Sequence, residues 1–215
     1  MATTQSGTGQ TTKDLTDNEI EVLLFDLGGV IIELSDLSEV MAGTPVASTE
    51  LMQHWAKSEH VFQFESGRCD RHTFARGIIE EFGLSHEPED FLEAFGRWPT
   101  GFYEGSLQLL AELKTHYHTA CLSNTNDLHW DSFATESAFV DGFHDHFLSF
   151  RMGLMKPGQE IFRAVLAQLD VPADRILFFD DSPRNVEAAR QSGLQAEVTR
   201  TPNEVKRHLQ AYGLW

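Results

Sequence analysis

The chain has 215 residues, enough to bury a full core as one domain with an inserted subdomain. Hydrophobic residues make up 41% and charged residues 23%, an ordinary globular balance, while 33 acidic against 16 basic side chains give a formal net charge of −17. That charge argues against nucleic acid or an anionic membrane surface as a partner, but not against a phosphorylated substrate, since local cations and a metal outweigh a distant field.

No run approaches the roughly 20 apolar residues of a membrane span, and residues 1–19, rich in Thr, Ser, Gly and Gln, lack a signal-peptide core and read as a disordered tail. A cytoplasmic protein, without membrane attachment, is the expectation. Cys69 and Cys121 lie far apart without metal-ligand spacing, which fits two free thiols in a reducing compartment.

The first strand is expected at 21–27, where Val22-Leu23-Leu24-Phe25 run into Asp26 and Gly28-Gly29. A continuous apolar run of this kind is a strand buried on both faces, and the C-terminal end of such a strand is where an open α/β sheet puts its chemistry. From 31 to 99 the pattern is helical, with no convincing strand. Leu51, Met52 and Trp55 share helical spacing, as do Phe74, Ile78 and Phe82, and then Phe91, Leu92 and Phe95. Gly83 suits a helix C-cap.

After Pro99 strands and helices alternate. Helices are expected at 104–114, 126–133, 157–169, 183–191 and 204–212, and strands at 117–122, 147–150, 176–179 and 194–198. Pro157 suits the first turn of its helix. This alternation predicts βαβ units and a doubly wound, Rossmann-like parallel sheet, with core segments 20–32 and 100–215 and a small helical cap over 33–99.

Three further strand ends carry polar groups. Ser123-Asn124-Thr125-Asn126 offers a hydroxyl and backbone N–H groups at a strand-to-helix turn, suited to an anionic oxygen as well as to a plain cap. Lys156 precedes Pro157. Asp180-Asp181-Ser182, followed by Asn185, places two adjacent carboxylates after an apolar strand, a costly arrangement unless a cation or hydrogen bonds compensate. A hard divalent ion such as Mg²⁺ is the simplest compensator. His116, His118, His144 and His146 fall at no expected strand C-terminus and read as structural.

Taken in order, Phe25-Asp26-Leu27-Gly28-Gly29-Val30, Leu122-Ser123-Asn124, Lys156-Pro157 and Phe179-Asp180-Asp181-Ser182 resemble the motifs of the haloacid dehalogenase-like hydrolases. Phe64-Glu65-Ser66-Gly67 and Asn185 are similar to the branch of small sugar-phosphate phosphatases. The resemblance implies Asp26 as nucleophile, forming an aspartyl phosphate. It implies Mg²⁺ held by Asp26, the Gly28 carbonyl and Asp181, with Asp180 and Asn185 close by. Ser123, Asn124 and Lys156 would hold the phosphoryl oxygens, and Glu65 and Arg68 would face the substrate.

The departure is Gly28, where most phosphatases of the family carry an aspartate that protonates the leaving oxygen. Losing such a group commonly costs about 10²- to 10⁴-fold. Three readings follow. The first is a Mg²⁺-dependent phosphatase of a small phosphorylated metabolite with a good leaving group, such as a sugar 1-phosphate. The second is a phosphate-ester-sensing or interaction protein of the same fold, and the third a dehalogenase. Replacement acids to weigh are Glu33, Asp36, His54 and His60. Either a monomer or a homodimer is compatible with the apolar stripes.

Overall fold

The computed structural model describes residues 19–215, and the expected tail at 1–18 lies outside them. The chain opens with β1 (Val22–Phe25) and β2 (Ile32–Leu34). Helices α1 (Leu37–Val40), α2 (Ser48–Trp55), α3 (Glu59–Glu65), α4 (Arg71–Phe82) and α5 (Pro88–Gly96) follow, and then β3 (Pro99–Phe102). The second half runs α6 (Ser106–Leu113), β4 (His118–Ser123), α7 (Asp127–Phe133), α8 (Ser137–Val140), β5 (Asp145–Leu148) and α9 (Ser149–Met152). It closes with α10 (Gln159–Leu169), a 3₁₀ turn at Ala173–Arg175, β6 (Ile176–Asp180), α11 (Pro183–Gln191), β7 (Gln195–Val198) and α12 (Pro202–Ala211).

Five strands form a sheet in the order β5-β4-β1-β6-β7, every neighbouring pair parallel. Successive side chains of β1 take opposite faces, as the two-residue period requires. Leu23 and Phe25 pack with Leu109, Leu113, Val205 and Leu209 of α6 and α12. Val22 and Leu24 pack with Phe162, Val165 and Val186 of α10 and α11. Helices therefore cover both faces, which is the predicted α/β architecture. β1 sits at the centre, where the strand order reverses, so its carboxyl end is the natural place for a ligand crevice.

The helical block has its own aromatic core. Trp55, Phe64, Phe74, Phe91, Phe95 and Trp98 are buried together, and the Phe64 and Phe74 rings stack at 4.3 Å. α4 is set by its ends: Asp70 accepts from the Thr73 N–H, and Gly83 closes it at φ 61°. Met52, expected within the apolar stripe, is instead 54% exposed, because α2 needs only Leu51 and Trp55 to face inward. No helix among the described residues is long and apolar enough to cross a membrane.

Several expectations need correction. The stretch from 31 to 99 does contain strand: β2 pairs antiparallel with β3, Ile32 opposite Phe102 and Glu33 opposite Gly101. Each is too short to show a period, and the partners are far apart in sequence. The strand expected at 147–150 is β5 at Asp145–Leu148, after which Ser149 begins α9. β5 is an edge strand with half-exposed Asp145 and His146 at its start, so the apolar signal covered only its end. Pro157 does not open α10; Gly158 is the N-cap, and the Lys156–Pro157 bond is cis.

Candidate active site

Strand register brings the polar ends together. Phe25 lies opposite Cys121 on one side and Phe179 on the other, so Asp26, Ser123 and Asp180 leave the sheet at the same edge. Buried Asp26 is tied down at Oδ1, which accepts the Leu27 N–H at 2.7 Å and faces Lys156 Nζ at 3.0 Å. Lys156, fully enclosed, also donates to Asp180 Oδ2 at 2.6 Å and to the Leu122 carbonyl at 2.8 Å. Burial alone would depress this ammonium, but Asp180 and Asp26 outweigh it and hold it above its usual value.

The two adjacent aspartates have different surroundings. Asp180 is saturated: Oδ1 accepts from the Ser182 N–H at 2.8 Å and Asn185 Nδ2 at 3.0 Å, while Oδ2 takes Lys156. Asp181 points toward Gly29, whose missing Cβ would lie 2.9 Å from Asp181 Oδ2. Asp26, Asp180 and Asp181 each offer an oxygen within 4.8 Å of the others. Burial, with Asp180 and Asp181 adding and Lys156 opposing, pushes the Asp26 carboxyl up to about 8. Burial and then the Asp180 charge also raise Asp181.

Three carboxylates against one ammonium would, when all are ionised, leave a surplus of two negative charges. Asp26 and Asp181 hold their protons more tightly than usual, so a cation would relieve the cluster, and an all-oxygen donor set suits Mg²⁺. The residues fit that ion.

The loop after β4 is braced rather than free. Asn124 clamps the backbone of Lys156 from both sides, its Nδ2 donating to the carbonyl at 2.9 Å and its Oδ1 accepting the N–H at 2.9 Å. Ser149 does the same for Thr125. Asn126 caps α7 through the His129 N–H at 3.0 Å. Buried Ser123 keeps its hydroxyl at the strand end, within the wall of the adjoining cavity.

Two cavities adjoin these groups. A small one of about 110 Å³ runs past Gly28, Leu34, Glu65, Ser123 and Trp98. A cleft of about 450 Å³ opens past Glu65, Asn124, Lys156, Arg184 and Asn185. Glu65 faces both, and burial raises its carboxyl to about 7 against the pull of Lys156. Arg68 lines neither; its guanidinium reaches the Gly153 carbonyl at 3.3 Å and covers the Phe62 ring. Asp26, Gly28, Ser123, Asn124, Lys156, Asp180, Asp181 and Asn185 thus converge, with Glu65 beside them and Arg68 outside. A larger groove of about 1160 Å³, next to Glu21 and Tyr117, contains none of these residues.

Sequence reasoning missed the double clamp by Asn124 and the stricture at Gly28. A Cβ there would lie 3.2 Å from Leu34 Cδ1, so a residue-28 side chain would press on the tip of Leu34. The histidines stay structural: His118 stacks on His144 at 4.6 Å and pairs with Asp145, where β4 begins rather than ends. Cys121 is a core residue whose thiol burial pushes up.

A family model for haloacid dehalogenase-like hydrolases matches residues 20–193. The chain is 28% identical over 190 residues to D-ribitol-5-phosphate phosphatase of Bacteroides thetaiotaomicron, covering 82% of this chain and 90% of that protein. It is 27% identical over 185 residues to sesquiterpene phosphatase astK of Aspergillus oryzae, covering 80% and 85%. The crystal structure of the HAD family enzyme bt-2542 from Bacteroides thetaiotaomicron, in complex with magnesium and inorganic phosphate, superposes with a TM-score of 0.70. Its identity is 28%, and the match covers 83% of this chain and 93% of that one.

Proposed function

The chain belongs to the haloacid dehalogenase-like hydrolases, and on that premise we propose that it is a Mg²⁺-dependent phosphatase of small phosphorylated metabolites. The observation that carries this reading is the Asp26–Lys156–Asp180 chain of contacts at 3.0 and 2.6 Å, with Asp181 left over beside it. Asp26 attacks phosphorus, and its carboxylate becomes an aspartyl phosphate that water then hydrolyses. Ser123, the Asn124 backbone and Lys156 hold the equatorial oxygens, where phosphoryl transfer needs alignment and charge neutralisation.

Asp26, Asp181 and the Gly28 carbonyl would hold the ion, while Asp180, saturated by Lys156, Asn185 and Ser182, orients the lysine. When bound, Mg²⁺ neutralises the surplus charge and polarises the phosphoryl oxygens. Residues 33–99 act as a cap that closes the site from water.

The names of the relatives support a phosphate-ester substrate. The relative that bears the name D-ribitol-5-phosphate phosphatase acts on a primary alkyl ester. Gly28, taken alone, favours a better leaving group, such as a sugar 1-phosphate.

The test is phosphate release from p-nitrophenyl phosphate with and without Mg²⁺, in wild type and Asp26→Asn. Mg²⁺-dependent turnover lost in Asp26→Asn is expected; turnover that persists in the variant sinks the assigned nucleophile. A second reading, a phosphate-ester sensor with little turnover, is favoured by the missing side chain at Gly28, whose position Leu34 crowds. It predicts beryllium fluoride binding without measurable hydrolysis of a metabolite panel. The charge surplus at Asp26, Asp180 and Asp181 speaks against a dehalogenase, which needs no divalent ion.

A further inference from the structure

A site that cleaves unactivated esters needs a proton donor, and residue 28 has no side chain to give. The four other groups weighed from the sequence stand elsewhere. Glu33 is exposed on the β2–β3 ribbon. Asp36 caps α1 through the Ser38 N–H. His54 pairs with Glu81 at 3.0 Å. His60 packs on Gly77, whose Cβ would lie 2.2 Å from its ring.

The titratable groups that do line the two cavities, among the described residues, are few. Lys156 is committed to Asp26 and Asp180, and Arg184 is a permanent cation. His129 is used at both nitrogens: Nε2 donates to the Phe95 carbonyl at 2.8 Å, and Nδ1 accepts from Asn126 Nδ2 at 3.2 Å. Burial holds its imidazole down at about 4. Glu65 remains, the one carboxyl on either lining.

Several observations single Glu65 out. It faces the small cavity together with Gly28, Leu34 and Ser123, and the cleft together with Lys156. It receives no hydrogen bond from a described residue, and burial dominates its environment. Its position is fixed by the next turn of chain. Gly67, at φ +70°, packs so closely that a Cβ would lie 2.1 Å from the Phe150 carbonyl oxygen. Arg68, one residue on, bonds Gly153. The segment after α3 is thereby docked on α9 of the core, and Glu65 is held on the walls of both cavities, beside Gly28, Ser123 and Lys156.

We infer that Glu65 is the proton donor and acceptor of the reaction, supplied by the helical block in place of a residue-28 aspartate. The inference rests on the phosphatase reading above. In the first half-reaction an Asp26 oxygen bonds to phosphorus, the ester P–O bond breaks, and the Glu65 carboxyl gives its proton to the departing oxygen, releasing an alcohol. In the second, the Glu65 carboxylate takes a proton from water as its oxygen bonds to phosphorus. The P–O bond to Asp26 then breaks, inorganic phosphate leaves, and both side chains return to their starting states. A carboxyl kept neutral by apolar surroundings is a standard general acid.

Leaving-group dependence is the test, because nitrophenolate departs without a proton and an alkoxide does not. In the full-length Mg²⁺-loaded protein, Glu65→Gln should lower kcat/KM for an alkyl phosphate such as ribitol 5-phosphate by about 10²- to 10⁴-fold. It should leave kcat/KM for p-nitrophenyl phosphate within about tenfold. Adding Gly28→Asp to Glu65→Gln should recover part of the alkyl-phosphate activity, since residue 28 is not in the left-handed region and Leu34 can yield at its tip.

An equal fall on both esters assigns Glu65 to binding or folding and overturns the inference, as does an unchanged alkyl-phosphate rate. Asp26→Asn run alongside separates the two levels of argument. Hydrolysis that survives Asp26→Asn removes the phosphatase mechanism itself. Loss in Asp26→Asn combined with an equal fall in Glu65→Gln removes only the role of Glu65.

Discussion

Asp26 should destabilise the metal-free protein, and by an amount that depends on pH. Asp26 takes up its proton at about 8 in the folded chain against 3.8 in the unfolded one, because it is buried and faces Asp180 and Asp181. Between those values the native state binds the proton and the unfolded state does not, so stability falls as pH rises. One pKa unit is worth about 1.36 kcal/mol, so by about pH 7.5 the loss reaches up to about 5 kcal/mol, against about 1 to 2 kcal/mol at about pH 5. Asparagine has nearly the shape of the protonated carboxyl and never ionises, so Asp26→Asn escapes the loss.

For a chain of this size 1 kcal/mol moves Tm by roughly 2 to 4 °C, so the EDTA-treated variant should melt up to about 10 to 20 °C above wild type near pH 7.5 and only a few degrees above it near pH 5. Thermal melts across that range are the assay. Excess Mg²⁺ should narrow the gap, because a ligand at about 100 times its Kd stabilises the state that binds it by about 2.7 kcal/mol. A gap that does not change between pH 5 and 8, or a variant less stable than wild type, would refute the account of buried mutual repulsion.

Two further substitutions probe how the site is held. Gly67→Ala sets a Cβ 2.1 Å from the Phe150 oxygen at φ +70°; a left-handed non-glycine residue alone costs about 1 to 2 kcal/mol. A Tm drop of at least about 4 °C is expected, together with a larger loss of kcat/KM on alkyl phosphates than on p-nitrophenyl phosphate. Asn124→Ala removes both hydrogen bonds to the Lys156 backbone. It should cost about 1 to 3 kcal/mol in urea unfolding and weaken inhibition by inorganic phosphate, while Asn124→Asp, which keeps only the acceptor, should fall between.

The core of this site was legible because each of its parts ends an apolar strand. Asp26, Ser123 and Asp180 all follow runs of buried residues, and a parallel sheet aligns such ends at one edge. Gly83 was legible as a cap for the same local reason. The β2–β3 ribbon was not, since its strands have three and four residues and pair across the whole helical block. Nor does adjacency in sequence distinguish Asp180 from Asp181; only the hydrogen bonds of Ser182 and Asn185 show which carboxylate is already spoken for. Glu65 was legible only through the resemblance of Phe64-Glu65-Ser66-Gly67, which marked it as substrate-facing and gave no sign of a proton-transfer role. The local signal was Gly67 two residues on, a glycine that marks close backbone contact rather than a loop.

The same packing that removes one carboxyl prepares another. A side chain at position 28 would meet Leu34, 3.2 Å from its Cβ. Leu34, packed against Gly28, and Trp98 make apolar the wall of the cavity into which Glu65 faces. An acid set there keeps its proton more readily because the charged form is poorly solvated. Asp26 sits in the opposite environment, a cluster of charged groups that a bound cation would relieve. Assigning the charge cluster to the sheet and the proton to the helical block lets one cleft satisfy both requirements, provided the docking through Gly67 keeps the two halves in register.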